Sequence, residues 1–209
     1  MAERRRCRGL LIVFEGLDGA GKTTQLQRLA ARLAQAGYDV VCLKEPSSGP
    51  WGQKIRQLAA QGRRAAQELE WFLADRRDNV EHHIAPALAQ GKIVLLDRYY
   101  FSTMAYQGAL GYDPAVIQKR NEAFAPPPDL VLLLEVPAEV GLERLQRPRD
   151  AFEELDYLRR VEEIFARLHF PTLRRIPGTL PPEEVHARVW AQVQALLARQ
   201  GQCVRTKGK

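Results

Sequence analysis

The chain has 209 residues, 45% of them hydrophobic and 27% charged, with a formal net charge of +6. That length suits one compact domain with its own core and is short for two, and no run approaches the roughly 20 uninterrupted apolar residues of a bilayer span. Three cysteines, Cys7, Cys42 and Cys203, are odd in number and share no metal-type spacing, which argues against a disulfide framework.

The N-terminus, Arg4-Arg5-Arg6 followed by the apolar stretch Gly9 to Phe14, superficially imitates a signal peptide. Glu15 and Asp18 follow at once and no small-residue cleavage site is visible, so the expectation is a cytoplasmic protein. Much of the positive charge sits at the two ends, in Arg4, Arg5, Arg6 and Arg8 and in Arg205, Lys207 and Lys209. No aromatic-interleaved basic stretch accompanies it, so solvated basic termini over 1–8 and 200–209 are expected rather than a nucleic-acid surface.

Leu10–Phe14, Val40–Leu43, Ile93–Leu96 and Leu130–Leu134 read as short, continuously apolar strands buried on both faces, with a weaker fifth near Leu173–Ile176. Amphipathic stripes alternate with them. Leu26, Leu29, Ala30 and Leu33 form one that Gly37 would cap; Leu69, Phe72, Leu73, Val80 and Ile84 form a second; Val185, Val189, Val193 and Leu196 form a third, opened by Pro181-Pro182-Glu183-Glu184. Strand and helix in alternation predict one α/β domain over 1–209: a five-stranded parallel sheet with helices on both faces and ligands beyond the carboxyl ends of its strands.

Directly after the first strand and before the first stripe, Gly16-Leu17-Asp18-Gly19-Ala20-Gly21-Lys22-Thr23 matches GxxxxGK[ST], and Thr24 follows. Glycines there let backbone N–H groups wrap phosphate oxygens, and the helix adds its positive end. Lys22 would bridge the β- and γ-phosphates, and Thr23 would give a hydroxyl to Mg²⁺. The motif signifies a nucleoside triphosphate without naming the reaction. The third strand ends in Asp97-Arg98-Tyr99. An aspartate in that place can hold a metal-bound water and an arginine can grip a phosphate, although a charged pair at a strand end is as often the edge of the core. No Asn-Lys-x-Asp guanine motif is present.

Phe72 and Arg76 share one helix face with Val80. A ring beside a fork of donors suits a nucleobase; the plainer reading is an arginine paired with Asp75 or Glu70. The histidines, His82, His83, His169 and His186, form no metal-binding spacing, so no metal held by protein ligands alone is expected.

The segments Phe14–Gln25 (FEGLDGAGKTTQ), Trp71–Arg76 (WFLADR) and Leu96–Ala109 (LDRYYFSTMAYQGA) resemble the signature segments of the thymidylate kinase family, P-loop nucleoside monophosphate kinases. Pro128–Pro137 and Pro181–Trp190 are similar to that family's later strand and last helix. The resemblance implies the P-loop NTPase fold with a short helical lid, here about 144–156, and transfer of the γ-phosphoryl group of ATP to dTMP in dTTP synthesis. It places Asp18 by the acceptor's 3′-hydroxyl or the metal's water shell, Phe72 on thymine and Arg76 on a thymine carbonyl. Arg98 would hold the acceptor phosphate, with Asp97 supporting Mg²⁺. Tyr106 would pack on the deoxyribose, Gln107 and Ser102 or Thr103 would bond the base, and Glu45 and Pro46 would line the pocket. A homodimer is also implied.

Two segments depart from the family pattern. Ser47-Ser48-Gly49-Pro50-Trp51 stands where relatives carry Gly-Gly-Thr, and Asp150-Ala151-Phe152-Glu153 has alanine in a lid arginine's place. With no arginine in the phosphate loop, Arg144, Arg147 and Arg149 are the candidates to meet transition-state charge, Arg147 and Arg149 foremost. Two rival readings are a deoxynucleoside kinase using Glu45 as base and a nucleotide-binding module without turnover.

Overall fold

The computed structural model describes residues 9–61, 65–145 and 152–200. The apolar runs form five strands: β1 (Leu10–Glu15), β2 (Val40–Lys44), β3 (Ile93–Asp97), β4 (Leu130–Glu135) and β5 (Leu173–Pro177). All neighbours pair in parallel, in the order β2-β3-β1-β4-β5. This is the expected three-layer P-loop NTPase arrangement. The helices are α1 (Lys22–Gln35), α2 (Pro50–Gln61), α3 (Ala65–Asn79), α4 (Ala85–Ala89), α5 (Tyr100–Gly108), α6 (Pro114–Glu122), α7 (Ala138–Arg144), α8 (Phe152–Arg167) and α9 (Pro182–Gln200). No helix among the described residues is long and apolar enough to cross a membrane.

The core is built on β1, β3 and β4, whose residues from Leu10 to Phe14, Ile93 to Leu96 and Leu130 to Leu134 are all buried. One strand differs from expectation. In β2, Val40, Val41 and Leu43 are only half-buried and Cys42 is exposed; it lies at a sheet edge, where apolar content alone does not distinguish it from a central strand. The weaker run, β5, is the other edge and is mostly half-buried. α1 packs on β1, β2 and β3 and against α9, which lies on β4 and β5, while α3, α5, α6 and α8 form a second group.

Helix α1 stops where the sequence suggests. Gly37 adopts a left-handed backbone (φ 86°), and its N–H and that of Tyr38 close onto the carbonyls of Ala34 and Leu33. The second stripe is not one regular helix. After Asn79 a π-helical turn, Val80–Ile84, precedes α4, and the N–H of Ala85 reaches the carbonyl of Val80. Pro86 lacks an N–H and in a regular helix would clash with the carbonyl four residues back; the wider turn lies directly ahead of it. Crossovers expected to hold single helices also carry α2 and α6, which the stripes do not reveal.

Because every strand is parallel, the carboxyl ends of β1, β2 and β3 converge on one edge of the sheet. Gly16, Glu45 and Arg98 are the residues that follow them.

Candidate active site

Between β1 and α1 the phosphate loop wraps the start of the helix, whose first residue is Lys22. Lys22 is buried, and its Nζ donates to the carbonyls of Gly16 (3.0 Å) and Leu17 (2.7 Å). Burial, then the neighbouring Arg98, lower its pKa to about 7 against the pull of Asp18, Asp97 and Glu15. Thr23 and Thr24 are exposed in the first turn of α1. The loop packs tightly on α7: a Cβ on Gly19 would stand 2.3 Å from the Gly141 carbonyl oxygen, and one on Gly141 would stand 2.6 Å from that of Asp18. Arg144, at the end of α7, donates to the carbonyls of Gly19 (3.3 Å) and Gly178 (2.9 Å).

Asp97 ends β3 beside the loop. Its Oδ2 accepts the Thr23 hydroxyl at 2.6 Å and lies 3.7 Å from Lys44 Nζ, whereas its buried Oδ1 has no hydrogen-bond partner. A hydroxyl and a carboxylate with an unused oxygen fit Mg²⁺, which keeps several waters and takes few protein ligands. Among the described residues no group of three or more His, Cys, Asp or Glu could hold a metal.

Arg98 follows in a left-handed backbone conformation (φ 74°). Its N–H bonds the Phe14 carbonyl at 3.0 Å, which ties β3 to β1 at their ends. The guanidinium donates to Ser102 Oγ (2.8 Å), Asp18 Oδ1 (2.7 Å) and Tyr106 Oη (3.3 Å), and its carbon lies 5.0 Å from the centre of the Tyr106 ring. Burial opposes its charge, but Tyr106, Asp18 and Glu15 outweigh that and raise its pKa. Behind it, the carboxylate of Glu15 is wholly buried. Oε1 accepts the N–H groups of Tyr99 (2.8 Å) and Ser102 (3.2 Å), and Oε2 accepts the Ser102 hydroxyl (2.5 Å).

A cavity of about 280 Å³ opens beside this pair. Asp18, Glu45, Pro46, Phe72, Arg76, Arg98, Ser102, Thr103, Tyr106 and Gln107 line it, so the sequence-predicted acceptor residues come together in one place. Phe72 is half-buried there. Arg76 is 1% exposed, and its partner is neither Asp75 nor Glu70. Instead its Nε and Nη2 lie 2.8 and 2.7 Å from Glu45 Oε2, Nη1 donates to Asn121 (2.6 Å), and Nη2 donates to Thr103 (3.1 Å). Asn79 donates to the other oxygen of Glu45 at 3.1 Å. Burial pushes the Glu45 pKa up, while Arg76 and Asn79 pull it down.

Asp75 serves the departing loop. It accepts the Ser47 N–H (2.8 Å) and hydroxyl (2.6 Å), and Ser47 Oγ in turn accepts the Gly49 N–H (3.0 Å). Glu70 pairs with Arg120. Gln107 Nε2 donates to Glu68 Oε2 at 3.3 Å, and its buried Oε1 has no partner. Tyr157 of α8 closes the cavity's far side and donates to the Tyr106 carbonyl at 3.0 Å.

Arg147 and Arg149 lie outside the described residues, as does much of the predicted lid. Arg144 is placed, against the phosphate loop. Sequence reasoning assigned no role to Glu15, Lys44, Glu68, Asn121 or Tyr157. Glu15 alone carried a signal: a carboxylate ending an apolar strand immediately before the phosphate loop.

The family model described as "Thymidylate kinase" matches residues 14–189. The thymidylate kinase of Desulfotalea psychrophila is 49% identical over 195 residues, covering 90% of this chain and 96% of that protein. That of Xanthomonas campestris pv. campestris is 50% identical over 194 residues, covering 91% and 85%. For Akkermansia muciniphila the identity is 49% over 185 residues, covering 87% and 90%.

Proposed function

The chain belongs to the thymidylate kinase family, and we infer from its site how it phosphorylates dTMP with ATP. The observation that carries the reading is the cavity in which Phe72, Arg76, Arg98 and Tyr106 converge within reach of the phosphate loop. The proposed reaction is in-line transfer of the γ-phosphoryl group to a phosphate oxygen of dTMP. A phosphate monoester, with its second pKa near ~6, is already mostly ionised at neutral pH, so no general base is needed. The requirement is for cations that bring two polyanions together.

Lys22 would leave its loop carbonyls for the β- and γ-phosphates, and Arg98 would hold the acceptor phosphate. Thr23 and Asp97 would hold Mg²⁺, which neutralises charge on the transferring group when bound. Lys44, at the same strand edge, adds a further cation. Phe72 would stack on the base, with Arg76, Thr103 and Gln107 facing its polar edge. Asp18 and Tyr106 would flank the sugar. Arg147 and Arg149 are proposed as lid cations, with Arg144 steadying the loop. We further propose a single-domain cytoplasmic enzyme acting as a homodimer. The half-buried Trp51, Ala74 and Phe124, which line one surface pocket together, support such an association.

A deoxynucleoside kinase would need Glu45 as a free base, yet both its oxygens are engaged, by Arg76 and Asn79. The test is ADP release with ATP and Mg²⁺ in the presence of dTMP, dUMP, dCMP, thymidine or no acceptor, with Lys22→Ala as blank. Strong turnover with dTMP, weak with dUMP and none with thymidine is expected. Turnover with thymidine but not dTMP would overturn the reading, and ATP binding without acceptor-dependent turnover would indicate a non-catalytic module.

The lowered pKa of Lys22 adds a second expectation. Between about pH 7 and its ordinary value near ~10.4 the folded, nucleotide-free protein binds fewer protons than the unfolded chain, so this lysine's contribution to stability rises with pH in that window. A polyphosphate beside Lys22 restores its charge. Binding of a non-hydrolysable ATP analogue at about pH 8.5 should therefore take up about one proton, read by calorimetry in buffers of different ionisation enthalpy. The Lys22→Met protein should take up none; equal uptake by both proteins would remove Lys22 from the phosphate site.

A further inference from the structure

Arg98 occupies a left-handed backbone conformation that is unfavourable for a residue with a Cβ. Such a residue stays in place only where its surroundings over-determine it. The Phe14 carbonyl takes the N–H of Arg98, and Asp18 and Tyr106 receive its Nη2. Glu15 adds two anchors from one side chain: it takes the N–H of Tyr99, the next residue, and the hydroxyl of Ser102, the residue that receives Arg98 Nη1.

We propose that Glu15 is a positioning residue for the acceptor: through Tyr99 and Ser102 it sets Arg98 at a fixed place relative to the phosphate loop that begins at the next residue. This rests on the reading of Arg98 as the acceptor phosphate's ligand. Glu15 also shares the first-turn N–H of Ser102 in α5 with the Tyr99 carbonyl, at 3.2 and 3.1 Å.

The direction of the relay explains why a carboxylate stands here. As an acceptor only, Oε2 draws the Ser102 hydroxyl hydrogen toward itself, which leaves the Oγ lone pairs facing the guanidinium. An amide nitrogen in that place would donate to Oγ and leave the hydroxyl hydrogen undirected. Through β1, Glu15 is continuous with Gly16, so one rigid strand end holds both the donor loop and the acceptor arginine.

The test is steady-state kinetics and direct binding on Glu15→Gln and Ser102→Ala. Each should raise KM for dTMP by roughly tenfold or more and lower kcat, while affinity for a non-hydrolysable ATP analogue changes by less than about threefold. Because both act through one relay, the double variant should be little worse than the more severe single one, and Ser102→Thr, which keeps the hydroxyl, should recover most of the loss. Ser102→Ala leaves the two N–H bonds of Glu15 intact and carries the test if Glu15→Gln folds poorly. Equal weakening of both substrates, multiplicative effects, or a fall in Tm with unchanged dTMP kinetics would each overturn the inference. If Arg98→Ala itself leaves dTMP kinetics intact, the underlying reading of Arg98 fails; if it abolishes them while Glu15→Gln does not, only the positioning role falls.

Discussion

Replacing Arg98 with alanine should lower kcat/KM for dTMP by about 10³-fold, roughly 4 kcal/mol of transition-state stabilisation, with far less effect on ATP binding. The guanidinium sits at the junction of the phosphate loop and the acceptor cavity, 2.7 Å from Asp18 and 2.8 Å from Ser102. Its planar fork suits a phosphate bidentately, which a lysine's point charge does not, so Arg98→Lys should recover little activity. Alanine keeps the left-handed strain while glycine removes it. Arg98→Gly should therefore be more stable than Arg98→Ala by about 1 kcal/mol and just as inactive. Steady-state kinetics and thermal denaturation on the three proteins check this. Activity within tenfold of wild type in Arg98→Ala would take this arginine out of the acceptor site.

The second large effect is on folding. Arg76→Ala should destabilise the protein by about 3–5 kcal/mol, because it strands Glu45 as a buried, unpaired carboxylate. Both side chains are almost inaccessible, at 1% and 3% exposure, and Asn79 alone cannot replace the charge. The double variant Arg76→Leu with Glu45→Gln, which leaves no charge behind, should recover a large part of that loss without recovering dTMP turnover. Urea unfolding at constant m-value measures the first claim and turnover the second. A loss below about 1 kcal/mol in Arg76→Ala would mean that Glu45 finds water or protonates at little cost.

The fold was largely legible because its strongest signals are local. Strand β1 runs into a phosphate loop and the α1 stripe, a pattern that fixes geometry within one stretch of chain. What escaped depends on neighbours. Val40 and Leu130 open equally apolar runs, and only the sheet order shows that the first belongs to an edge. Helix α6 carries no clear stripe, and the π turn stands ahead of a proline whose effect is felt back along the helix.

The site divides in the same way. Residues that would touch substrate, such as Lys22, Arg98 and Phe72, stand in motifs. Residues that hold them do not, since Glu45 meets Arg76, and Asn121 meets it too, only across the fold. The plain alternative for Arg76 named the right kind of interaction and the wrong carboxylate, because Asp75, adjacent in sequence, faces Ser47 instead. That same contact gives the unusual Ser47–Trp51 loop a definite shape.

The closeness of Gly19 to Gly141 bears on how this enzyme can diverge. Each position is barred from gaining a side chain by the backbone of the other segment, not by any chemistry of its own. A saturation library read out by complementation should thus show two intolerant glycines far apart in the sequence, one in the nucleotide motif and one in a helix that no motif marks. Relaxing either would require backing α7 away from the loop, a change no single codon can make.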